Sequence, residues 1–329
     1  LARNFNDYLF ADKISEEDAA KMINSVAKRF ETDYPEEFRC LYMKECSESG
    51  RNALKEKRVI TSYLAGKNNG AVILSEDEGT SVLLNGEDHV RIQVLCNGMD
   101  IQSCFKKANE IDDYIDAHFD YAFDEKYGYK TTFPTNTGTG MKAGYTLHLP
   151  SLSDARRLND ISAELGRFGL KFRTVYGDGQ NGYGNLYQIS TQKTLGQDER
   201  EVIKDLDDIV LQIVNQEKEQ REHFYKKDKI QMDDEIYKSY GVLKYARKLS
   251  LKDSMVLISE LMTGVSLGVL QFAHNGRYNI NELIMDIQPA VLRQNSGKAM
   301  SVAETDVLRA ENLVRDYVQY GEDGEEQNI

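Results

Sequence analysis

The stretch TSVLLNGEDHVRIQVL, residues 80–95, decides how this chain is read. SVLL and VRIQVL are apolar, β-branched runs, so each reads as a strand. Asn85-Gly86 alone would close a hairpin between them. The turn instead continues through Glu87, Asp88 and His89 to Arg91, which sets four charge-capable side chains beside a buried strand. Desolvating such groups is costly unless they are partnered or used.

Working outward, 329 residues suffice for two domains and a substantial core. A charged fraction of 29% with 40% hydrophobic residues is that of a soluble globular protein. No apolar run approaches the ~18 residues of a membrane span. No signal peptide opens the chain, although it begins on Leu1 rather than Met and a piece is expected to precede it. Cys40, Cys46, Cys96 and Cys104 form no CxxC pair, and they suit a reducing cytoplasm better than a disulfide framework. A net charge of −13 argues against nucleic acid as the default partner.

Residues 15–30 predict a helix, with Ser15 and Asp18 approximating a capping box. From 57 to 96 the pattern turns to strands: KRVITSYL, AVILSE, TSVLLN and VRIQVL. Helix returns over 103–119, a strand over YTLHLP (145–150), and one helix over 151–170 with Gly169 as its cap. Strands KFRTVY and NLYQIS follow, then a long helix from about Gln197 to Tyr225. The lysine-rich 225–234 reads as a domain boundary. Beyond it only helical segments appear, ending in an acidic tail over 321–329 that is expected to be disordered. The predicted class is α+β: an antiparallel sheet flanked by helices (residues 1–225), then an all-helical domain (226–320).

Three strand-turn segments concentrate glycine and charge: NGEDHVR (85–91), FPTNTGTGMKAG (133–144) and FRTVYGDGQNGYGN (172–185). Gly177, Gly179 and Gly182 match a dinucleotide fingerprint in spacing, but that motif needs a helix next, and NLYQIS is a strand. The GxxxxGK[ST] spacing is absent from TGTGMK. Taken singly, each segment also reads as a long hairpin loop. Together they place a basic residue beside glycine at a strand end three times, in Arg91, Lys142 and Arg173, which suits phosphate. Glu87 and Asp178 among them would repel phosphate unless they faced a cationic co-substrate, and a guanidinium is one. Asp88 and His89 read as braces of the loop, and His148 as a packed or edge histidine rather than a ligand. No ligand spacing suggests a structural metal.

These segments resemble motifs of the guanidino (phosphagen) kinases. NGEDHVRIQ is similar to their NEEDH-x-R segment, FPTNTGTGMKAG to CPTN-x-GTG-x-RA, and FRTVYGDG to RG-x-x-GE. YAFDEKYGY, YQISTQKTLG and YKSYGVL resemble the bacterial protein-arginine kinase branch, and TDVLRA (305–310) its RD-x-x-RA phosphoarginine motif. The resemblance implies a glutamine-synthetase-like catalytic fold, ATP and Mg²⁺ as cofactors, and Glu87 and Asp178 as catalytic carboxylates. For ATP and phosphate it implies Arg91, Lys142 with Ala143, Gly144, Tyr145 and Thr146, and Arg173 with Thr174, Val175, Tyr176 and Gly177. Tyr63 stands at a nucleotide-contacting histidine, and Phe133 at a reactive cysteine. Asp306, Arg309 and Ala310 fall on the phosphoarginine motif, where Thr305 replaces an arginine, and the family's SxRxR segment would precede Leu1.

The same resemblance implies a cytoplasmic stress protein that phosphorylates exposed arginines of proteins for a Clp chaperone-protease. It also implies an activator protein, a repressor substrate and a homodimer. Two alternatives stand beside it: a weakened homologue acting as a phosphoarginine-binding adaptor, and a small-molecule guanidino kinase, for which TDVLRA would have no use.

Overall fold

The computed structural model describes residues 1–178, 181–270 and 280–313. By packing they form two compact units. Leu1–Gly144 and Ser190–Asp208 make the first, and Tyr145–Ile189 with the residues from Ile209 onward make the second. The tail over 321–329 lies outside the described residues.

The first unit is built on a five-stranded antiparallel sheet. Its strands are β1 (Ala2–Arg3), β2 (Phe38–Tyr42), β3 (Ala71–Ser75), β4 (Thr80–Leu84) and β5 (Val90–Val94), in the order β1-β5-β4-β3-β2. Period-two alternation sends Ile73, Val82, Leu84, Val90 and Ile92 to one face, against helix α1 (Glu16–Asp33) and later helix 101–116. Val72, Leu74 and Leu83 go to the other face, against helix α2 (Glu48–Glu56) and the short α3 (Ser62–Ala65). Because both faces are covered, AVILS and TSVLL are buried at every position. Each such aliphatic side chain contributes ~1.5–3 kcal/mol on burial. Ser15 caps α1 as expected, its hydroxyl accepting from the Asp18 amide.

Helix α4 (Ile101–Asp116) carries Asp112 under the sheet, where it receives the guanidinium of Arg3 at 2.5 and 3.1 Å. Arg3 is 2% exposed, lies 3.5 Å from the centre of the Tyr129 ring, and also donates to the Thr139 carbonyl. A two-stranded ribbon, β6 (Phe123–Asp124) and β7 (Gly128–Tyr129), completes the unit's sheets.

The second unit holds a three-stranded sheet of β8 (Gly144–His148), β9 (Leu170–Thr174) and β12 (Leu186–Thr191), in the order β8-β12-β9. The small hairpin β10 (Gly177–Asp178) and β11 (Asn181–Gly182) lies between β9 and β12 in the chain. A strand does follow the 177–182 glycines, so the dinucleotide fingerprint fails in structure as in sequence. Helices α5 (Pro150–Asp154) and α6 (Leu158–Arg167) precede β9. Of α7 (Glu199–Lys227), the residues from Ile209 count with this unit. Then come α8 (Lys229–Tyr245), α9 (Leu251–Ser266), α10 (Ile280–Asp286), α11 (Pro289–Ser296) and α12 (Val302–Leu313), around a core that includes Ile236, Leu243, Ile258, Leu261 and Ile284.

Three expectations need correction. KRVITSYL is no strand: Arg58 takes φ 63°, Thr61 caps α3, and Val59, Ile60 and Leu64 fill the core from a turn and a helix. A short apolar run does not distinguish the two by itself. The single helix over 151–170 is two, broken where Arg156 takes φ 58°. Cys96 and Cys104 are joined in a disulfide, while Cys40 and Cys46 are free thiols. No helix among the described residues is long and apolar enough to cross a membrane.

His148 packs inside the second unit as read, its Nε2 2.8 Å from Ser259 Oγ. Burial first, and Arg221 second, push its pKa from 6.5 to about 3. The unfolded chain therefore takes up this proton near pH 6.5 and the folded chain only near 3. The contribution is complete above 6.5 and falls as pH drops, by at most ~1.4 kcal/mol per pH unit. Urea unfolding at pH 7 and 4.5 should show a loss of ~2–3 kcal/mol from this group. The His148→Gln variant should be less acid-sensitive by that amount; equal acid sensitivity would contradict the burial assignment.

Candidate functional site

The sequence-predicted site residues divide between the units. Tyr63, Glu87, Arg91, Lys142, Ala143 and Gly144 belong to the first; Tyr145, Thr146, Arg173 to Asp178 and the 305–310 motif belong to the second.

In the first unit, β4 and β5 are in register from Thr80↔Val94 to Leu84↔Val90, so Asn85–His89 form a five-residue hairpin loop. The loop closes with the Asn85 amide donating to the His89 carbonyl at 2.8 Å, and Asn85 adopts φ 54°, which asparagine tolerates. Asn85 is fully buried, and its side chain donates to the Asn69 carbonyl. Lys67 Nζ reaches Asn85 Oδ1 at 3.3 Å and the Gly86 carbonyl at 3.4 Å.

Asp88 and His89 are 3% and 0% exposed. Asp88 Oδ1 accepts from Asn4 Nδ2 and from the Thr132 amide, both at 2.7 Å. His89 Nδ1 accepts from the Phe5 amide at 3.0 Å, so its proton sits on Nε2, 2.8 Å from the Leu9 carbonyl. Burial lowers the pKa of this imidazole and keeps it neutral. Both residues are braces. Only Glu87 of the three is left partly open, its side chain 20% exposed.

Glu87 is not loose. Its Oε2 accepts from Thr61 Oγ1 at 3.2 Å, and its Oε1 lies 3.8 Å from Arg91 Nη1, whose side chain is 38% exposed. The bond from Thr132 to Asp88 brings the loop of Phe133 to the same turn, and Phe133 is 47% exposed. Downstream, Gly138 takes φ 114° where a Cβ would strike the Thr194 carbonyl and the Leu195 backbone, so this TGTG glycine is obligatory. Tyr63 is exposed on α3 with Lys67 Nζ 5.5 Å from its ring centre. Lys142 is exposed, and the Ala143 amide donates to Thr191 Oγ1. Thr61 and Lys67 were missed in the sequence, since the false strand over 57–64 hid the Thr61 cap. A cavity of about 430 Å³ elsewhere in this unit, lined by Phe105, Tyr127 and Glu199 among others, contains none of the candidates.

In the second unit, Tyr145 is buried and Thr146 exposed along β8. Arg173 is exposed on β9, its Nε donating to Gln188 Oε1 at 2.7 Å. The Val175 amide donates to the Leu186 carbonyl, Tyr176 stacks near Tyr183, and Gly177 takes φ 104°. Asp178 lies in β10, and its side chain is outside the description. In the 305–310 motif, Arg309 is 1% exposed and donates to the carbonyls of Ile287 and Leu249 and to Asp306 Oδ1 at 2.6 Å; Ala310 is fully buried. Thr305 is buried too, and Arg293 Nε donates to its hydroxyl at 3.3 Å.

A carboxylate and an arginine thus stand on a braced turn, beside a glycine loop that needs its glycine. Residues 20–220 match the model of the ATP:guanido phosphotransferase C-terminal catalytic domain, and 229–328 that of the protein-arginine kinase McsB C-terminal domain. The chain is 39% identical over 319 residues to a protein-arginine kinase of Bacillus mycoides, covering 96% of this chain and 89% of that one. It is 37% identical over 330 residues to the Bacillus subtilis protein-arginine kinase, covering 99% and 90%. Among solved structures, lombricine kinase is similar at a TM-score of 0.57 and 17% identity, over 66% of this chain and 64% of that one. The duplicated taurocyamine kinase of Schistosoma mansoni, in its form with transition-state analogue components, gives a TM-score of 0.59 at 19% identity, over 66% and 32%. The chain belongs to the ATP:guanido phosphotransferase family.

Asp88→Ala should test the bracing. It leaves the Thr132 amide and Asn4 without their acceptor, at a cost of ~1–3 kcal/mol of stability. Hydrogen exchange should quicken over 131–137 more than over α4. Unchanged exchange there would mean that Asp88 does not hold this loop.

Proposed function

We propose that this protein transfers the γ-phosphoryl group of ATP to arginine side chains of proteins, with Glu87 as a catalytic carboxylate and Arg91 as a phosphate ligand. The observation that carries the reading is the turn: Asp88 and His89 are buried braces, and Glu87 alone is partly open and aimed. The relatives named protein-arginine kinases favour protein over free guanidino substrates.

A guanidinium is a poor nucleophile because it stays protonated to above pH ~12. A carboxylate bonded to it orients one nitrogen and accepts its proton. As that nitrogen bonds to the γ-phosphorus, the bond to the bridging oxygen breaks and ADP leaves with the electron pair. On this reading Asp178 is the second carboxylate. Lys142 and Arg173, with the segments that follow each, contact the phosphates, and Tyr63 approaches the nucleotide. Lys142 supplies charge without a bidentate fork, and Phe133 a ring where a thiol is usual.

Mg²⁺ bound with ATP would neutralise phosphate charge during transfer. We assign the catalytic role to residues 1–225, and dimerisation and phosphoarginine binding to the helical 226–320. The wider reading is a cytoplasmic enzyme, working as a homodimer with an activator protein. It would mark proteins, a repressor among them, for a Clp chaperone-protease.

Glu87→Gln removes the proton acceptor and keeps the shape. Acid-labile phosphate formed on an arginine-rich unfolded protein should fall to background while ATP affinity stays within a few-fold. Arg91→Ala should instead weaken ATP binding or slow transfer about 10- to 100-fold, as expected for a charged hydrogen bond of ~1.5–3 kcal/mol. Near wild-type turnover for Glu87→Gln would defeat the assignment.

A further inference from the structure

Thr61 occupies a position that nothing in the sequence marked. Its hydroxyl oxygen accepts the Leu64 amide at 3.1 Å and lies 3.2 Å from Glu87 Oε2. A hydroxyl has one proton and two lone pairs, and an ionised carboxylate has no proton to give. With one lone pair taken by Leu64, the Thr61 proton is directed to Glu87. The two carboxylate oxygens are thereby made unequal: Oε2 is held by a neutral donor, and Oε1 faces Arg91 at 3.8 Å.

The donor is itself fixed. Thr61 is β-branched and is the N-cap of α3. Leu64, on the first full turn after it, is fully buried in the core under the sheet. At the other end of α3, the Lys67 amide donates to the Leu64 carbonyl, and Lys67 Nζ bonds Asn85 Oδ1 and the Gly86 carbonyl of the Glu87 turn. Short helix and turn are thus tied at two points, Thr61 to Glu87 and Lys67 to the residues before it.

We propose that Thr61 is a positioning residue for transfer, holding Glu87 in the rotamer that meets the guanidinium. The inference rests on the proposed role of Glu87. Displacement of a reacting group by about 1 Å can cost ~10²-fold in rate, so the loss should appear in kcat.

Three variants separate aim from capping. Thr61→Ser keeps both the donor and the cap and should restore most of the rate. Thr61→Val loses both, and its kcat should fall about 10- to 100-fold with KM for ATP within about twofold. Thr61→Asp keeps a good cap but sets a like charge against Glu87. It should melt near the wild-type temperature and lose at least as much kcat as Thr61→Val. The assay is acid-labile phosphate on an arginine-rich unfolded protein, using the full chain, with Glu87→Gln alongside. If Glu87→Gln abolishes transfer while Thr61→Val and Thr61→Asp stay within about threefold of wild type, this inference is wrong and the Glu87 reading stands. If Glu87→Gln retains turnover, the reading of Glu87 fails first and this proposal with it.

Discussion

The constraint on which the first unit depends is a neutral imidazole in the turn between β4 and β5. His89 must accept at Nδ1 and donate at Nε2, and only the uncharged ring can do both. Protonation would set a donor against the Phe5 amide, and burial already weighs against it. Through this ring and its neighbour Asp88, four stretches distant in sequence are joined: Asn4–Phe5, Leu9, the turn itself and Thr132. Fully satisfied polar networks of this kind specify one arrangement, whereas half-satisfied ones are costly. The turn can therefore carry an incompletely buried carboxylate, because everything beside that carboxylate is fixed.

Arg3 plays a matching role beneath the sheet. Its guanidinium spans Asp112 on α4, the Thr139 carbonyl of the glycine loop and the face of Tyr129. A planar fork with five donors can serve three such partners in different directions. The TGTG loop is thus held from two sides, by Arg3 at Thr139 and by the packing of Gly138 on the Thr194–Leu195 backbone. The glycines act here through close approach, and phosphate contact is a separate matter.

Much of this was legible in the sequence. The β4–β5 hairpin, α1 with its Ser15 cap, and the bracing roles of Asp88 and His89 follow from period, capping chemistry and the cost of burying charge. What escaped did so for physical reasons. KRVITSYL has a strand's composition, but Arg58 adopts a left-handed conformation that no pattern announces, and Thr61 is then free to cap a four-residue helix. β1 is two residues long, too short to have a period. The Cys96–Cys104 pair is a meeting between the end of β5 and the first turn of α4, and spacing along the chain does not report it.

The hardest distinction lies between two acid–arginine pairs that look alike in sequence, Glu87 with Arg91 and Asp306 with Arg309. Asp306–Arg309 closes to 2.6 Å with the arginine 1% exposed, and two carbonyls take further guanidinium protons. Drawing Arg309 away would strand those acceptors. Glu87–Arg91 stands at 3.8 Å with side chains 20% and 38% exposed. A pair so open contributes only ~0–1 kcal/mol. Each member can therefore leave the other for a stronger partner at little cost. Burial, which spacing does not encode, separates this loose pair on a rigid turn from the brace.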